Sequence, residues 1–317
     1  MCSLISNKLN DTNETKVTYF FLLGINGPQT LKIFLFSLFL GVHIATLCGN
    51  IMLIALYLKS QHLKTPMYFF LSHLSFSDIL LSICIVPNLL DTLLKNGKSM
   101  SLTSCLAQLL ATGTSTGAEC YLLTAMSYDR YMAICNPLGY MKIMNNKLCV
   151  HLVAWSWFLS FLICLVIVLQ IAQLEFCRCN ILDYIYCDFS PLLAISCKNS
   201  FALEITTMVL SVPIILLPFW FIISTYICIG LAIFRISSNV GRQKAFSTCS
   251  SHLTVVCTYC GILITKYTVP IGGQSITMNK VISLLYTVGT PLLNPIIYSF
   301  RNQEIRAALN KWMTRRV

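Results

Sequence analysis

Long apolar runs dominate the chain, and short polar stretches separate them. A helix needs about 20 apolar residues to cross the hydrocarbon core of a bilayer. Seven runs reach that length and are called segments 1 to 7 below: 31–58, 66–94, 102–127, 148–171, 201–234, 250–269 and 281–300. They are too long and too uniformly apolar for barrel strands, so the pattern predicts an all-α membrane protein, a bundle of seven transmembrane helices.

The ends of the chain differ from the apolar middle. Residues 1–30 form a polar tail, residues 31–300 one membrane domain, and residues 301–317 a basic second tail. In this second tail, apolar residues recur at helical spacing opposite a basic face, which predicts a short amphipathic helix in the headgroup layer. These residues are Ile305, Leu309, Trp312 and Met313. A frayed tail is the alternative.

Composition agrees with the membrane assignment. The chain is 56% hydrophobic and only 10% charged, which excludes a soluble domain. The net charge of +11 does not indicate nucleic acid, because Lys and Arg also set orientation in a bilayer. Thirteen of the 22 basic residues lie on the same side of the membrane as residues 301–317. Basic residues concentrate on the cytoplasmic side, and seven crossings put the two ends of the chain on opposite sides, so we expect the N-terminus outside. Two glycosylation triplets begin at Asn10 and Asn13 in that outer tail.

Two acidic residues lie at bilayer depth. Asp78 lies in segment 2, whose inner end comes earlier in the chain, and Glu119 lies in segment 3, whose inner end comes later. The rise per residue of a helix places each carboxylate roughly 17 Å from the inner boundary of the membrane. Two carboxylates there either bind a cation or are protonated and hydrogen-bonded. A sodium ion is therefore the one candidate cofactor. Polar residues that can complete such a cluster are Asn50, Ser75, Ser115 and Asn294.

Chemical motifs elsewhere are few. Asp129-Arg130-Tyr131 closes segment 3 on the inner side, where the Asp and Arg can pair and later separate; a chance triplet at a snorkelling position is the alternative. Cysteines gather on the outer side, at Cys105 and in the loop after segment 4, and we expect bridges there. That loop contains Cys177, Cys179, Cys187 and Cys197. No sequence signature of an enzyme is present.

Five motifs follow one another at the segment boundaries. They are Gly49-Asn50, 63–71 (LKTPMYFFL), 126–135 (MSYDRYMAIC), 244–253 (KAFSTCSSHL) and 291–302 (PLLNPIIYSFRN). Together they resemble the rhodopsin-like G-protein-coupled receptors and, more narrowly, the vertebrate olfactory receptors. The resemblance spans essentially the whole chain. It implies an odorant-binding receptor, not an enzyme, at the plasma membrane, which activates a stimulatory olfactory-type G protein and raises cyclic AMP.

The resemblance also implies roles for individual residues. Asp129 and Arg130 look like the inner lock of the family, with Tyr131 also assigned to G-protein coupling, and Asp78 with Glu119 look like its mid-membrane cation site. Tyr226 and Tyr298 look like the tyrosines that rearrange on activation, and a role in activation is also implied for His252, Asn294 and Pro295. The cysteine pattern is similar to that of the family and implies bridges from Cys105 to Cys187 and from Cys177 to Cys197.

A pocket of mostly apolar character is expected in the outer half of the bundle, for a small, mostly apolar ligand with one hydrogen-bonding group. Its expected lining is Thr112, Thr116, Leu210, Ile214, Cys260, Ile264, Tyr267, Leu284 and Thr287. Helix packing is the alternative for each. Cys260 departs from the family, which usually has tyrosine there. Lys266 is expected to snorkel to the outer surface.

Two other functions stay open from the sequence alone. A cation channel or transporter would use Asp78 and Glu119 as an ion path, but the inner parts of the segments are mostly apolar. A rhodopsin-like receptor that does not bind odorants would carry the same inner motifs.

Overall fold

The computed structural model describes residues 17–176, 180–196, 201–235, 238–268 and 276–314. The predicted positions Asn10, Asn13, Cys177 and Cys197 lie outside the described residues. Seven membrane-crossing helical segments form a bundle, which confirms the predicted fold. Their helices are Gln29–Lys59, Pro66–Lys95, Leu102–Cys135, Asn146–Ala172, Phe201–Ser211 with Leu217–Phe234, Asn239–Thr268, and Ile276–Leu284 with Thr290–Arg301.

Segments 3 and 6 are less apolar than the other five. By length and composition, the described parts of segments 1, 2, 4, 5 and 7 are apolar enough to cross a membrane. Segment 3 packs against segments 2, 4, 5 and 6, so its polar residues are enclosed by protein. The helices of segments 3 and 6 are longer than the predicted apolar runs: the first continues to Cys135, and the second begins at Asn239. A helix can continue through polar residues after it leaves the bilayer.

Segments 5 and 7 each contain a π-helical turn, at Val212–Leu216 and at Leu285–Gly289. Pro218 and Pro291 follow these turns closely. Because proline has no N–H, the α-helical hydrogen bond to the residue four positions earlier is missing, and that residue lies within the π turn in both cases. The wider turn is one way in which the backbone accommodates the lost hydrogen bond.

A three-stranded sheet covers the outer end, a feature that the all-α prediction missed. β1 (Tyr19–Leu22) lies between β2 (Lys98–Ser101) and β3 (Ile181–Leu182), antiparallel to the first and parallel to the second. Phe20 is fully buried whereas Tyr19 is 58% exposed, as expected for alternating faces of a strand. Such short strands leave no clear signal beside seven long apolar runs.

Close packing of segments 3 and 4 shapes the middle of the bundle. A Cβ atom at Gly117 would lie 2.7 Å from Ser160 Oγ, and one at Gly113 would lie 2.9 Å from Cys164 Sγ. Small residues four apart on both helices let the two backbones approach closely, as is typical of membrane helix pairs. Gly113, Gly117 and Cys164 also line the cavity described below.

Two short helices lie in the loops, Pro137–Ile143 on the inner side and Phe189–Ala194 on the outer side. Asn136 and Asp188 cap them: the Gly139 and Phe189 N–H groups donate to their side-chain oxygens. These helices hold Tyr140 and Asp188 in place near the sites described below.

The predicted C-terminal amphipathic helix is present as Gln303–Thr314. Ile305 is buried, and Leu309 and Trp312 pack against the core of the bundle. Tyr68 in segment 2 donates a hydrogen bond to Glu304 Oε2 at 2.7 Å, which ties this helix to the inner end of the bundle. The side chain of Met313 lies outside the described part of the chain.

Candidate functional site

A cavity of about 110 Å³ lies in the outer half of the bundle, between segments 3 to 7 and the loop that follows segment 4. Its lining is mostly apolar. Four of the predicted pocket residues contribute to it: Thr112, Thr116, Leu210 and Ile214. Further lining comes from Gly113, Gly117, Cys164, Tyr186, Asp188, Thr207, Lys266 and Tyr286.

The other predicted pocket residues lie elsewhere. Cys260 and Ile264 line a separate apolar groove of about 500 Å³ between segments 5 and 6. Leu284 packs in the core, and Thr287 is buried with its hydroxyl donating to Ser283 O at 2.7 Å. Segment 7 instead contributes Tyr286 to the cavity. The π turn at Leu285–Gly289 contains an extra residue. A strict 3.6-residue period therefore does not predict which residues of segment 7 face the cavity.

The side chain of Tyr267, which was also expected in the pocket, lies outside the described part of the structure.

The two predicted threonines that line the cavity already make hydrogen bonds within the protein. Thr112 donates to Gln108 O at 2.9 Å, and Thr116 donates to Thr112 O at 2.7 Å. The Thr116 hydroxyl also bonds the Tyr286 hydroxyl, which joins segments 3 and 7 at the inner edge of the cavity. Both threonine oxygens retain acceptor capacity.

A polar cluster forms the outer wall of the cavity, and sequence reasoning missed most of it. Lys266 Nζ lies 2.8 Å from Asp188 Oδ2, and it donates to the Tyr186 hydroxyl at 3.1 Å. The Tyr186 hydroxyl in turn donates to Asp188 Oδ2 at 3.2 Å. Lys266 therefore forms an ion pair at the cavity, in contrast to the expected position at the outer surface. Asp188, in a loop, had no periodic pattern that could reveal it.

A disulfide joins Cys105, at the outer end of segment 3, to Cys187. Both residues are fully buried, and the Cα atoms are 5.3 Å apart. The Cys187 N–H also donates to Gln108 Oε1 at 3.0 Å. Because Cys187 lies between Tyr186 and Asp188, the bridge holds the polar cluster over the cavity.

The mid-membrane acids are both fully buried. Asn294 Nδ2 donates to both carboxylate oxygens of Asp78, at 3.1 and 3.0 Å. Neither carboxylate oxygen of Glu119 accepts a hydrogen bond of standard geometry from the described residues, although the Tyr259 and Ser77 hydroxyls and the Asp78 carboxylate lie close enough to interact with it. The predicted neighbours Ser75 and Ser115 are also buried. In the part of the chain that the structure describes, no three His, Cys, Asp or Glu residues cluster, so a cation here would need neutral oxygen ligands too.

At the inner end of segment 3, Asp129 binds a residue that the sequence did not point to. The Tyr140 hydroxyl donates to Asp129 Oδ1 at 2.8 Å, whereas Arg130 Nε is 3.9 Å from Asp129 Oδ2. Burial, and next the negative charge of Asp129, raise the pKa of Tyr140, so its phenol remains a donor at neutral pH. The short helix Pro137–Ile143 carries this tyrosine and brings it to the acid.

Segments 5 and 6 meet through Tyr226 and His252, whose rings stack at 5.7 Å and whose side chains form a hydrogen bond of 2.6 Å. His252 also bonds Leu123 O in segment 3 at 3.1 Å. Tyr298 is fully buried, and its hydroxyl has no hydrogen-bond partner within the described ranges. Tyr131 packs near Tyr226 against the inner ends of segments 5 and 6.

Segment 7 also touches segment 1 at Pro295. A Cβ atom at Gly49 would lie 3.0 Å from the Pro295 ring, a tight contact, so a side chain here would push the two helices slightly apart. The neighbouring Asn50 donates to Pro291 O at 3.0 Å. These contacts fix the part of segment 7 that carries Asn294 against the mid-membrane acids.

Comparisons with known proteins agree with this architecture. The family model described as olfactory receptor matches residues 39–316. Olfactory receptor-like protein I9 of Rattus norvegicus is 42% identical over 304 residues, which cover 96% of this chain and 97% of that protein. Olfactory receptor 1J2 of Homo sapiens is 41% identical over 308 residues, which cover 97% of this chain and 98% of that protein. The chain belongs to the olfactory receptor family.

Family membership makes this olfactory receptor an odorant-binding G-protein-coupled receptor, a multi-pass membrane protein and not an enzyme. It decides against a cation channel and against a receptor outside the olfactory family. In the receptor, the cavity and the Asp129-Arg130 region lie at opposite ends of segment 3, with the mid-membrane acids between them. One helix thus connects all three sites.

Proposed function

We propose that this receptor binds a small, largely apolar odorant in the cavity and then activates a stimulatory olfactory-type G protein, which raises cyclic AMP. The observation that carries the proposal is the mostly apolar cavity beneath the disulfide-held loop. Thr112, Thr116 and Leu210 line it on segments 3 and 5, while segment 6 also reaches the Tyr226 contact at the inner side. An odorant that binds one arrangement of these segments better than another shifts the receptor between its two states.

The size of the cavity bounds the ligand. An engineered protein cavity of roughly 150 Å³ accommodates benzene. The cavity here, at about 110 Å³, therefore suits a compact molecule of similar or slightly smaller size unless the lining moves. The apolar lining favours hydrocarbon, and the threonine oxygens provide acceptors for a single polar hydrogen.

The N-terminus is placed outside in this proposal, for two reasons. Basic residues concentrate on the side of residues 301–317, which the positive-inside rule assigns to the cytoplasm. The Cys105–Cys187 bridge is on the opposite side, and disulfides persist in the oxidising environment outside the cell. Asn10 and Asn13 would then be accessible for glycosylation.

Filling the cavity should weaken odorant responses strongly. In Leu210→Trp the larger side chain occupies space that the ligand needs, so cyclic AMP responses should fall by at least about tenfold in potency. The measurement is cyclic AMP accumulation in cells that express the receptor, screened against a panel of volatile compounds. Leu217→Trp is the matched control, because Leu217 lies on the same segment but is 60% exposed at the lipid-facing surface. Equal responses from both variants would place the odorant outside this cavity.

The proposal also includes a sodium ion between Asp78 and Glu119. The burial of two neighbouring carboxylates supports it, since two buried acids close together are unfavourable unless they are neutralised or bind a cation. Asp78 and Glu119 would hold the ion, with Ser75, Ser115 and the unpaired Asn50 Oδ1 as available neutral oxygens. The ion would stabilise the resting bundle.

Sodium should accordingly lower agonist affinity, because an ion bound in the resting state opposes activation. Glu119→Gln keeps the shape but removes one charge, and we expect it to reduce the sodium effect by several-fold. Agonist binding to purified receptor in sodium and in potassium buffer measures this. Asp91→Asn, at the outer end of segment 2, is the control. If wild type and Glu119→Gln are equally insensitive to sodium, the acids are a protonated, hydrogen-bonded pair instead.

A further inference from the structure

An ion pair forms part of a cavity wall that is otherwise uncharged. Lys266 and Asp188 are the two charged residues in the described lining, and their Nζ and Oδ2 atoms are 2.8 Å apart. Their side chains are only 12% and 10% exposed. The wall therefore carries both signs of charge at one place, and its net charge is zero.

The neighbouring polar groups are neutral. Burial raises the pKa of Tyr186 well above its ordinary value, so its phenol stays protonated between Lys266 and Asp188. The Lys266 ammonium also lies 5.2 Å from the centre of the Tyr286 ring, a neutral aromatic contact. Nothing else in the described lining offsets the charge of a ligand.

A charged ligand would lose its hydration on entering so small a cavity. Attraction to one member of the pair would be offset by repulsion from the other, so the lost hydration would not be recovered. An uncharged ligand meets no such penalty. The pair thus disfavours anions and cations alike for as long as both members are present.

We infer that Lys266 and Asp188 together restrict the receptor to uncharged odorants, and that removal of either one redirects the cavity to ligands of the charge opposite to the remaining residue. This inference rests on the proposed function, since it requires the ligand to occupy this cavity. It assigns to Lys266 and Asp188 the selection of the chemical class of the odorant.

Three probes of similar size test it: diethyl ketone, butanoate and pentylamine. In Asp188→Asn, the affinity for butanoate relative to diethyl ketone should rise at least about tenfold, because close charge pairs at binding sites couple by roughly that factor or more. In Lys266→Met, the affinity for pentylamine relative to diethyl ketone should rise by a similar factor. Asparagine retains the ability of residue 188 to accept the Phe189 N–H hydrogen bond at the start of the short helix. Ligand-observed NMR on receptor in nanodiscs measures the affinities, and ratios within one variant do not depend on its yield.

The pair Lys280 and Asp183 provides matched controls. These two residues also form an outer ion pair, at 2.6 Å, but do not line the cavity, so Asp183→Asn and Lys280→Met should leave the order of the probes unchanged. The exchanged variant, Lys266→Asp with Asp188→Lys, should restore the preference for diethyl ketone.

The inference is overturned if wild type binds butanoate or pentylamine more tightly than diethyl ketone, if no probe binds, or if both single variants keep the wild-type order. If the order of probe affinities changes as expected in the two variants but no probe raises cyclic AMP, the proposed signalling is contradicted and this inference is not.

Discussion

Arg130→Ala should abolish the cyclic AMP response to odorant, with a loss on the order of a hundredfold or more, while the receptor still reaches the cell surface. The structure explains why the two effects separate. The Arg130 side chain is 15% exposed and lies 3.9 Å from Asp129, which accepts its short hydrogen bond from Tyr140 instead. Arg130 Nε has no hydrogen-bond partner within the described ranges. Removing this guanidinium breaks a long ion pair but leaves the shorter Tyr140–Asp129 hydrogen bond in place, and it removes the cation at the inner end of segment 3 that we expect to contact the G protein.

Surface labelling and cyclic AMP accumulation in the same cells measure the two effects of Arg130→Ala. Arg235→Ala is the matched control, because Arg235 is an exposed arginine just after the inner end of segment 5. It should signal normally. A full response from Arg130→Ala would show that the inner end of segment 3 does not have the role that the family resemblance implies.

The seven segments could be predicted because a bilayer imposes one simple rule, a long apolar run for each crossing. The rule gives the part of a helix within the membrane and not its true ends. The apolar run of segment 3 ends at residue 127, yet its helix continues past Asp129 and Arg130 to Cys135. Asp78 and Glu119 lie close enough to interact, as expected from their similar distances from the inner helix ends, because the rise per residue fixes position along a straight helix.

The predicted lining of the cavity was correct on segments 3 and 5 but not on segments 6 and 7. Thr112 and Thr116 are four apart on segment 3, and the structure places both at the cavity. On segment 7 the π turn alters the repeat, so the structure places Tyr286 there and not Thr287. Asp188 could not be predicted, because a loop position depends on contacts with distant residues such as Lys266 and not on any period.

Cys105→Ser should remove most of the receptor from the cell surface. Loss of a native disulfide typically costs about 2–5 kcal/mol in small domains, and here the bridge anchors the loop beside Tyr186 and Asp188 to segment 3. Cys187→Ser should be equally damaging, and the double variant no worse than either, since all three lose the same bond. Surface labelling measures the loss, with Cys228→Ser as the control because Cys228 is an exposed free cysteine. Peptide mapping without reductant should recover the Cys105–Cys187 pair from wild type. Normal surface levels of Cys105→Ser would mean that the hydrogen bonds and packing of the loop suffice to fold it, and that the disulfide is not what holds it over the cavity.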